Sequence, residues 1–154
     1  MKKTLLIFIF LSFIVTANNL PELGDYSSSK ISENEEIINA IIENRNNKGD
    51  VLSTSRLAGI QAAKKTSDLI PLAHNLNLTK IEIEFSIDNK NNTIDCKGLV
   101  RCFGKTGVEM EALTSVSVAL LTIYDMCKSF SKNLSISKIM LLKKSGGKSG
   151  SWSK

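Results

Sequence analysis

Between Thr79 and Asp88 apolar and polar residues alternate, with Ile81, Ile83, Phe85 and Ile87 on one side and Glu82, Glu84 and Ser86 on the other. A period of two predicts a half-buried strand over 79–88. Asn89-Lys90-Asn91-Asn92 supplies turn chemistry, and a return strand from Thr93 to Phe103 completes a β-hairpin. Elsewhere the period lengthens. Ile37, Ile38, Ile41 and Ile42 follow Ser32 and Glu35 at capping-box spacing, which predicts a helix over 33–46, ended by Asn46-Asn47-Lys48-Gly49. A second helix is predicted from Asp50 to Leu69, with Leu57, Ile60, Gln61 and Lys64 at helical spacing. Its small residues (Ala58, Gly59, Ala62, Ala63) permit close packing, and Pro71 lies beyond its end. Residues 18–31 are polar and turn-rich and predict a linker. Ile136 to Lys144 is a last strand, followed by a Gly/Ser-rich tail. This order predicts an α+β sandwich, with helices on one face of a mainly antiparallel sheet.

The longest helical stretch is Gly104 to Lys128, GKTGVEMEALTSVSVALLTIYDMCK. It opens on a tight loop and places Glu109 and Glu111 in a first turn, where the helix dipole favours acids. It closes on Asp125 and Lys128, three apart and so on one face. An amphipathic core helix with solvated ends accounts for the pattern when this stretch is taken alone. Glu111 and Asp125 are fourteen residues apart, which at 1.5 Å per residue separates them by roughly 21 Å. If both ends serve one small ligand, a second copy must lie antiparallel across a two-fold axis.

Composition adds an anionic partner. The 154 residues suit one domain, and the net charge of +5 favours nucleic acid, a membrane surface or a phosphorylated small molecule without choosing among them. Cys96, Cys102 and Cys127 are an odd count with no metal-binding spacing, and His74 is the only histidine, so the thiols are predicted to be reduced core residues. Residues 1–17 hold a basic start, an apolar run and Val15-Thr16-Ala17. Two readings of them stand, a secretory signal or a hydrophobic first strand, and the apolar run is short for a membrane span. Gly104-Lys105-Thr106 and Gly147-Lys148-Ser149 mimic a P-loop, but the required upstream glycine is Leu99 in one and Leu142 in the other. Each remains a glycine loop able to expose backbone N–H groups to an anion, or simply a flexible turn.

Three segments together resemble a known family: KGDVLSTSRLAGIQAAKKTSDLIPLAHNLNLTKIEIE (48–84), the 104–128 stretch and LLKKSGGKSG (141–150). They are similar to cyclic pyranopterin monophosphate synthase, the C-protein of molybdenum cofactor biosynthesis, over most of 34–150. The resemblance implies a ferredoxin-like fold assembled as a homohexamer, a trimer of dimers, with sites at subunit interfaces. It implies a lyase that rearranges a 3′,8-cyclised dihydroguanosine triphosphate to cyclic pyranopterin monophosphate and releases diphosphate. No metal or organic cofactor, no nucleic acid and no stable membrane association is implied. By position, Asp125, Lys48 and Lys128 match catalytic residues. Leu72, Ala73, His74, Glu109, Met110 and Glu111 match or adjoin substrate-binding segments, and Lys144 matches a lysine that meets the triphosphate.

The resemblance also marks two departures. The family pattern Leu-Cys-His-Pro-Leu is Leu72-Ala73-His74-Asn75-Leu76 here. The family's first strand, of Met-x-Asp-x-Ser type with a following arginine, is assigned to Val15-Thr16-Ala17, with Ile14 in place of the aspartate and Leu23 in place of the arginine. The expected organisation is a hydrophobic segment at 1–17, one catalytic domain at 18–150 and a tail at 151–154. The location expected is cytoplasmic, with export or an organelle as the alternative that 1–17 raises. The competing functions are a non-catalytic hexameric relative binding a nucleotide or partner, and an exported basic protein binding membranes or polyanions.

Overall fold

The computed structural model describes residues 22–32 and 34–154; the expectations for 1–17 lie outside them. The elements are β1 (Glu22–Ser32), α1 (Glu35–Ile42), α2 (Val51–Lys64), α3 (Thr66–Leu69), β2 (Leu78–Asp88), β3 (Thr93–Phe103), α4 (Glu109–Cys127), β4 (Ser135–Lys144) and β5 (Trp152–Ser153). The strands form one sheet in the order β2-β3-β1-β4-β5, every neighbouring pair antiparallel. The crossover from β1 to β2 leaves room for β3 between them, and that from β3 to β4 leaves room for β1. This is the split βαβ arrangement of a ferredoxin-like fold. α4 lies over β1, β3 and β4, and α2 lies beside it against β2.

The hairpin alternates as the sequence predicts. Ile83 of β2 and Ile94, Cys96, Val100 and Cys102 of β3 are buried, while Lys80, Glu82 and Glu84 stay exposed. Ile83, Ile94 and Cys96 meet Ile37, Ile38 and Ile41 of α1 and Val116, Leu120 and Ile123 of α4 in one core cluster, while Val100 and Cys102 pack with Ala63, Val108 and Ala112 in a second. α4 is long and apolar enough to cross a membrane by composition, but its apolar stripe is spent on this core.

Four expectations need correcting. The linker expected at 18–31 is mostly β1. Its inward residues Asp25, Ser27 and Ser29 are buried but polar, so no apolar alternation announces the strand. The first helix is capped by Asn34, whose side chain accepts from Ile37 N (2.9 Å), not by Ser32, and it ends at Ile42. Gly49 (φ +97) therefore turns the chain into α2 and does not terminate α1. The helix expected over Asp50–Leu69 breaks after Lys64 into α2 and the four-residue α3. The tail carries β5, in which Trp152 and Ser153 pair with Lys144 and Lys143.

Small residues decide which face of α2 turns inward. Leu57 is 57% exposed, whereas Ser55, Gly59, Ala62 and Ala63 are buried. Asp50 caps the helix, accepting from Ser53 N (2.9 Å) and Ser53 Oγ (2.7 Å), and these bonds hold its carboxyl below the usual range. A Cβ on Gly59 would lie 2.8 Å from Ser115 O and 3.1 Å from Ala119 Cβ, so α2 and α4 approach as closely as glycine allows. Gly59→Ala gains about 1 kcal/mol of helix propensity but overpacks this contact by about 1–3 kcal/mol. We expect a net loss of stability in denaturant titration. A more stable variant would show that the two helices are not in close contact there.

Candidate functional site

Ionisable residues gather at both ends of α4. At the C-terminal end, Asp125 takes both lysines. Lys48 Nζ donates to Asp125 Oδ2 (3.1 Å) and to its backbone O (2.9 Å), and Lys128 Nζ lies 2.7 Å from Oδ1. Lys48 comes from the loop after α1, which Asn46 fixes in place. Asn46 Nδ2 donates to Met126 O (3.0 Å), while its Oδ1 accepts from Lys48 N (2.8 Å). Sequence reading missed Asn46; its signal is asparagine turn chemistry inside Asn46-Asn47-Lys48-Gly49. Lys128, then Lys48, holds the Asp125 carboxyl below its usual range, and Asp125 in turn raises the Lys128 ammonium. The cluster is solvated, with Asp125 and Lys128 side chains more than half exposed.

The N-terminal end is drier and built around Asp25. This wholly buried carboxylate accepts from Val108 N (2.8 Å) with one oxygen and from Ser145 N (3.0 Å) with the other. Ser145 Oγ also accepts from Gly24 N (2.7 Å) and donates to Gly24 O (2.9 Å). One acid therefore ties the entrance of α4 to the end of β4. Across that junction Lys144 pairs with Glu109. Glu111, two residues on, is 4% exposed. Burial pushes Asp25 and Glu111 up from the usual carboxylate range, and Glu109 adds to both. Lys144 opposes the shift at Asp25 and His74 opposes it at Glu111, so His74 lies within electrostatic reach of this end. Leu72 is 92% exposed, Ala73 N donates to Ile70 O (3.0 Å), and Met110 is exposed at the first turn.

Asp25-Tyr26-Ser27 is the Asp-x-Ser of the first strand, correcting its assignment to Ile14 and Val15–Ala17. Ser27 Oγ donates to Ala112 O (2.6 Å), so the aspartate and the serine both point at α4. Sequence reading missed Asp25, Ser27 and Ser145. Among the described residues, no group of three or more His, Cys, Asp or Glu is placed to hold a metal.

The two clusters do not meet. Helix α4 is continuous over its 19 residues, which sets Asp125 roughly 21 Å from Glu111 along its axis. Lys48, Asp125 and Lys128 share one end. Glu109, Glu111 and Lys144 share the other, and His74 lies within electrostatic reach of Glu111. A family model described as MoaC family matches residues 24–147, a span that contains both clusters and Asp25. The chain belongs to the MoaC family. The MoaC match starts at Gly24, in agreement with the placement of β1 and the Asp-x-Ser motif. Over 103 residues the chain is 60% identical to the cyclic pyranopterin monophosphate synthase of Heliobacterium modesticaldum, covering 67% of this chain and 65% of that protein. Over 125 residues it is 48% identical to the mitochondrial cyclic pyranopterin monophosphate synthase of Arabidopsis thaliana, covering 81% of this chain and 46% of that one. The chain thus spans under two thirds of the length of either relative.

The raised Glu111 carboxyl carries a pH signature. Folding favours its protonated form, so its contribution to stability is fully present below the unfolded carboxylate pKa and is lost as pH rises through the folded value. Asp50, Asp88 and Asp125 are shifted the other way, and they are common to the wild type and the variant compared. Between pH 4 and pH 7, Glu111→Gln should therefore gain stability relative to wild type, by about 1.4 kcal/mol for each unit by which burial raises the pKa. A stability difference that stays constant across that range in urea titrations would contradict a buried, charged Glu111.

Proposed function

We propose that this MoaC chain is a lyase of molybdenum cofactor biosynthesis. It converts (8S)-3′,8-cyclo-7,8-dihydroguanosine 5′-triphosphate to cyclic pyranopterin monophosphate and releases diphosphate. The observation that carries the reading is the convergence of Lys48 and Lys128 on Asp125, supported by the names of both relatives. Asp125, held ionised, orients two ammonium groups toward one point. In this arrangement Lys128 is a proton donor, since its carboxylate partner stabilises the charged form. To serve also as a base it must lose that stabilisation, through burial or neighbouring cations supplied by substrate binding and a second chain.

The opposite end of α4 supplies the grip. Glu109 and Glu111, with Met110, Leu72, Ala73 and His74, take the purine-derived ring, and Lys144 takes the triphosphate, where its charge stabilises the departing diphosphate. Because one copy holds the two ends roughly 21 Å apart, the site is shared between antiparallel copies, and the assembly we propose is a hexamer built as a trimer of dimers. Cys96, Cys102 and Cys127 are all buried, and burial pushes the Cys96 thiol up to about 12, as suits the reducing interior of a cell or organelle.

Purified protein incubated with the cyclised GTP derivative should release pyrophosphate and form cyclic pyranopterin monophosphate. Asp125→Asn and Lys48→Ala should each lower turnover by about 10²–10⁴-fold, with secondary structure and oligomer mass unchanged. Near-normal product from either variant removes that residue from the chemistry. Absence of both products with the wild type removes the lyase reading.

A further inference from the structure

A helix leaves its last four carbonyls without partners inside the helix, and in α4 these belong to Tyr124, Asp125, Met126 and Cys127. Two are met locally, Tyr124 O by Lys128 N (2.8 Å) and Cys127 O by Phe130 N (2.9 Å). The other two are met from the loop after α1. Asn46 Nδ2 donates to Met126 O (3.0 Å), and Lys48 Nζ donates to Asp125 O (2.9 Å). Side chains from 80 residues away in the chain thus finish the cap of α4. The ammonium also suits the negative end of the helix dipole.

The two side chains hold with unequal strength. Lys48 is long, flexible and half exposed, and an exposed ion pair does little to fix either partner. Asn46 is 8% exposed, and its buried donor meets an acceptor in a contact that is costly to break. Asn46 also organises the turn that follows it. Its Oδ1 accepts from Lys48 N (2.8 Å) and its backbone O from Gly49 N (3.0 Å), with Gly49 at φ +97. The Lys48 backbone is therefore bonded to a residue that is itself bonded to the helix. From there the ammonium reaches Asp125 Oδ2 (3.1 Å), one residue before the carbonyl that Asn46 holds. A primary amide offers donor and acceptor at the end of one short side chain, whereas aspartate only accepts and alanine does neither.

We propose that Asn46 is a positioning residue: it sets the Lys48 ammonium against Asp125 and, through Lys48, governs the rate of the chemical step. The effect on rate rests on the lyase reading; the placement of the ammonium does not. A misplacement of about 1 Å at a reacting group costs up to about 10²-fold in rate. Loss of the Asn46 amide therefore acts on kcat and leaves the binding of substrate at the opposite end of α4 untouched.

Steady-state kinetics of the full chain with the cyclised GTP derivative tests the effect on rate through a double-mutant cycle. Asn46→Ala should lower kcat about 10- to 100-fold and leave KM within about threefold, with circular dichroism and oligomer mass unchanged. Lys48→Ala/Asn46→Ala should stay within about threefold of Lys48→Ala alone. Asn46→Asp keeps the acceptor for Lys48 N but loses the donor to Met126 O, so it should fall as the alanine variant does. It also carries the test if the alanine chain does not fold. Placement of the ammonium is read without substrate, by acetylating the lysines with acetic anhydride and analysing peptides by mass spectrometry. Labelling of Lys48 relative to the exposed Lys90 should rise at least about threefold in either Asn46 variant. Losses that add in the double variant, or wild-type kcat in Asn46→Asp, overturn positioning through Lys48. Unchanged Lys48 labelling in both variants overturns the placement itself. Raised labelling in a protein that turns over no cyclised GTP derivative keeps the placement and removes the lyase reading. Wild-type turnover with labelling and kcat unchanged in the variants does the reverse.

Discussion

The rigidity of α4 governs everything else in this molecule. A continuous helix cannot shorten, so the residues at its two ends keep a fixed separation whatever binds. Small side chains keep it that way: Ala112, Ser115, Val116 and Ala119 let the sheet and α2 press against it, and Gly59 removes the last obstacle. Packing at that distance leaves no slack for a kink that would bring Glu111 toward Asp125. The helix therefore acts as a spacer with an ionisable cluster at each end, and only a second copy can bring unlike ends together around one small molecule.

The two ends are built by different physics. At the C-terminal end the charges are solvated and answer one another, with two lysines on one carboxylate, and the supporting contact is an asparagine that pins a loop to the helix. At the N-terminal end Asp25 and Glu111 are buried. Burying a carboxylate is costly unless donors meet its oxygens, and Asp25 meets that requirement with one backbone N–H from each of two loops. The same bonds that make its burial tolerable fix the two loops relative to each other. Lys144 and Glu109 sit over that junction.

Much of this was legible in the sequence, for identifiable reasons. The β2–β3 hairpin was readable because its inward side is apolar and its outward side is charged, residue by residue. The reach argument for α4 needed only the spacing of Glu111 and Asp125. β1 was not legible because its inward positions are Asp25, Ser27 and Ser29, whose burial is justified by hydrogen bonds to Val108, Ser145, Ala112 and Ser137 that lie far away in the chain. A strand whose inner face is polar looks like a loop until its partners are known. Leu57 misled for the opposite reason: close helix packing selected Gly59 and Ala63 for the interior and left the larger side chain in solvent. The Lys48–Asp125–Lys128 grouping followed from family resemblance, and the fold brings these residues within hydrogen-bonding distance. The role of Asn46 was hidden, since nothing local indicates that its amide reaches Met126 O.

Sharing of one site between two copies can be measured directly by mixing defects. Asp125→Asn and Glu111→Gln chains, each impaired alone, are co-expressed under two affinity tags, and the mixed oligomers are assayed with the cyclised GTP derivative. If opposite ends of α4 from different chains form each site, a mixed dimer holds one site with both defects and one with neither. Random assembly then restores about a quarter of wild-type turnover. Turnover no greater than the sum of the two variants alone, in oligomers shown to contain both tags, would contradict a site shared between chains.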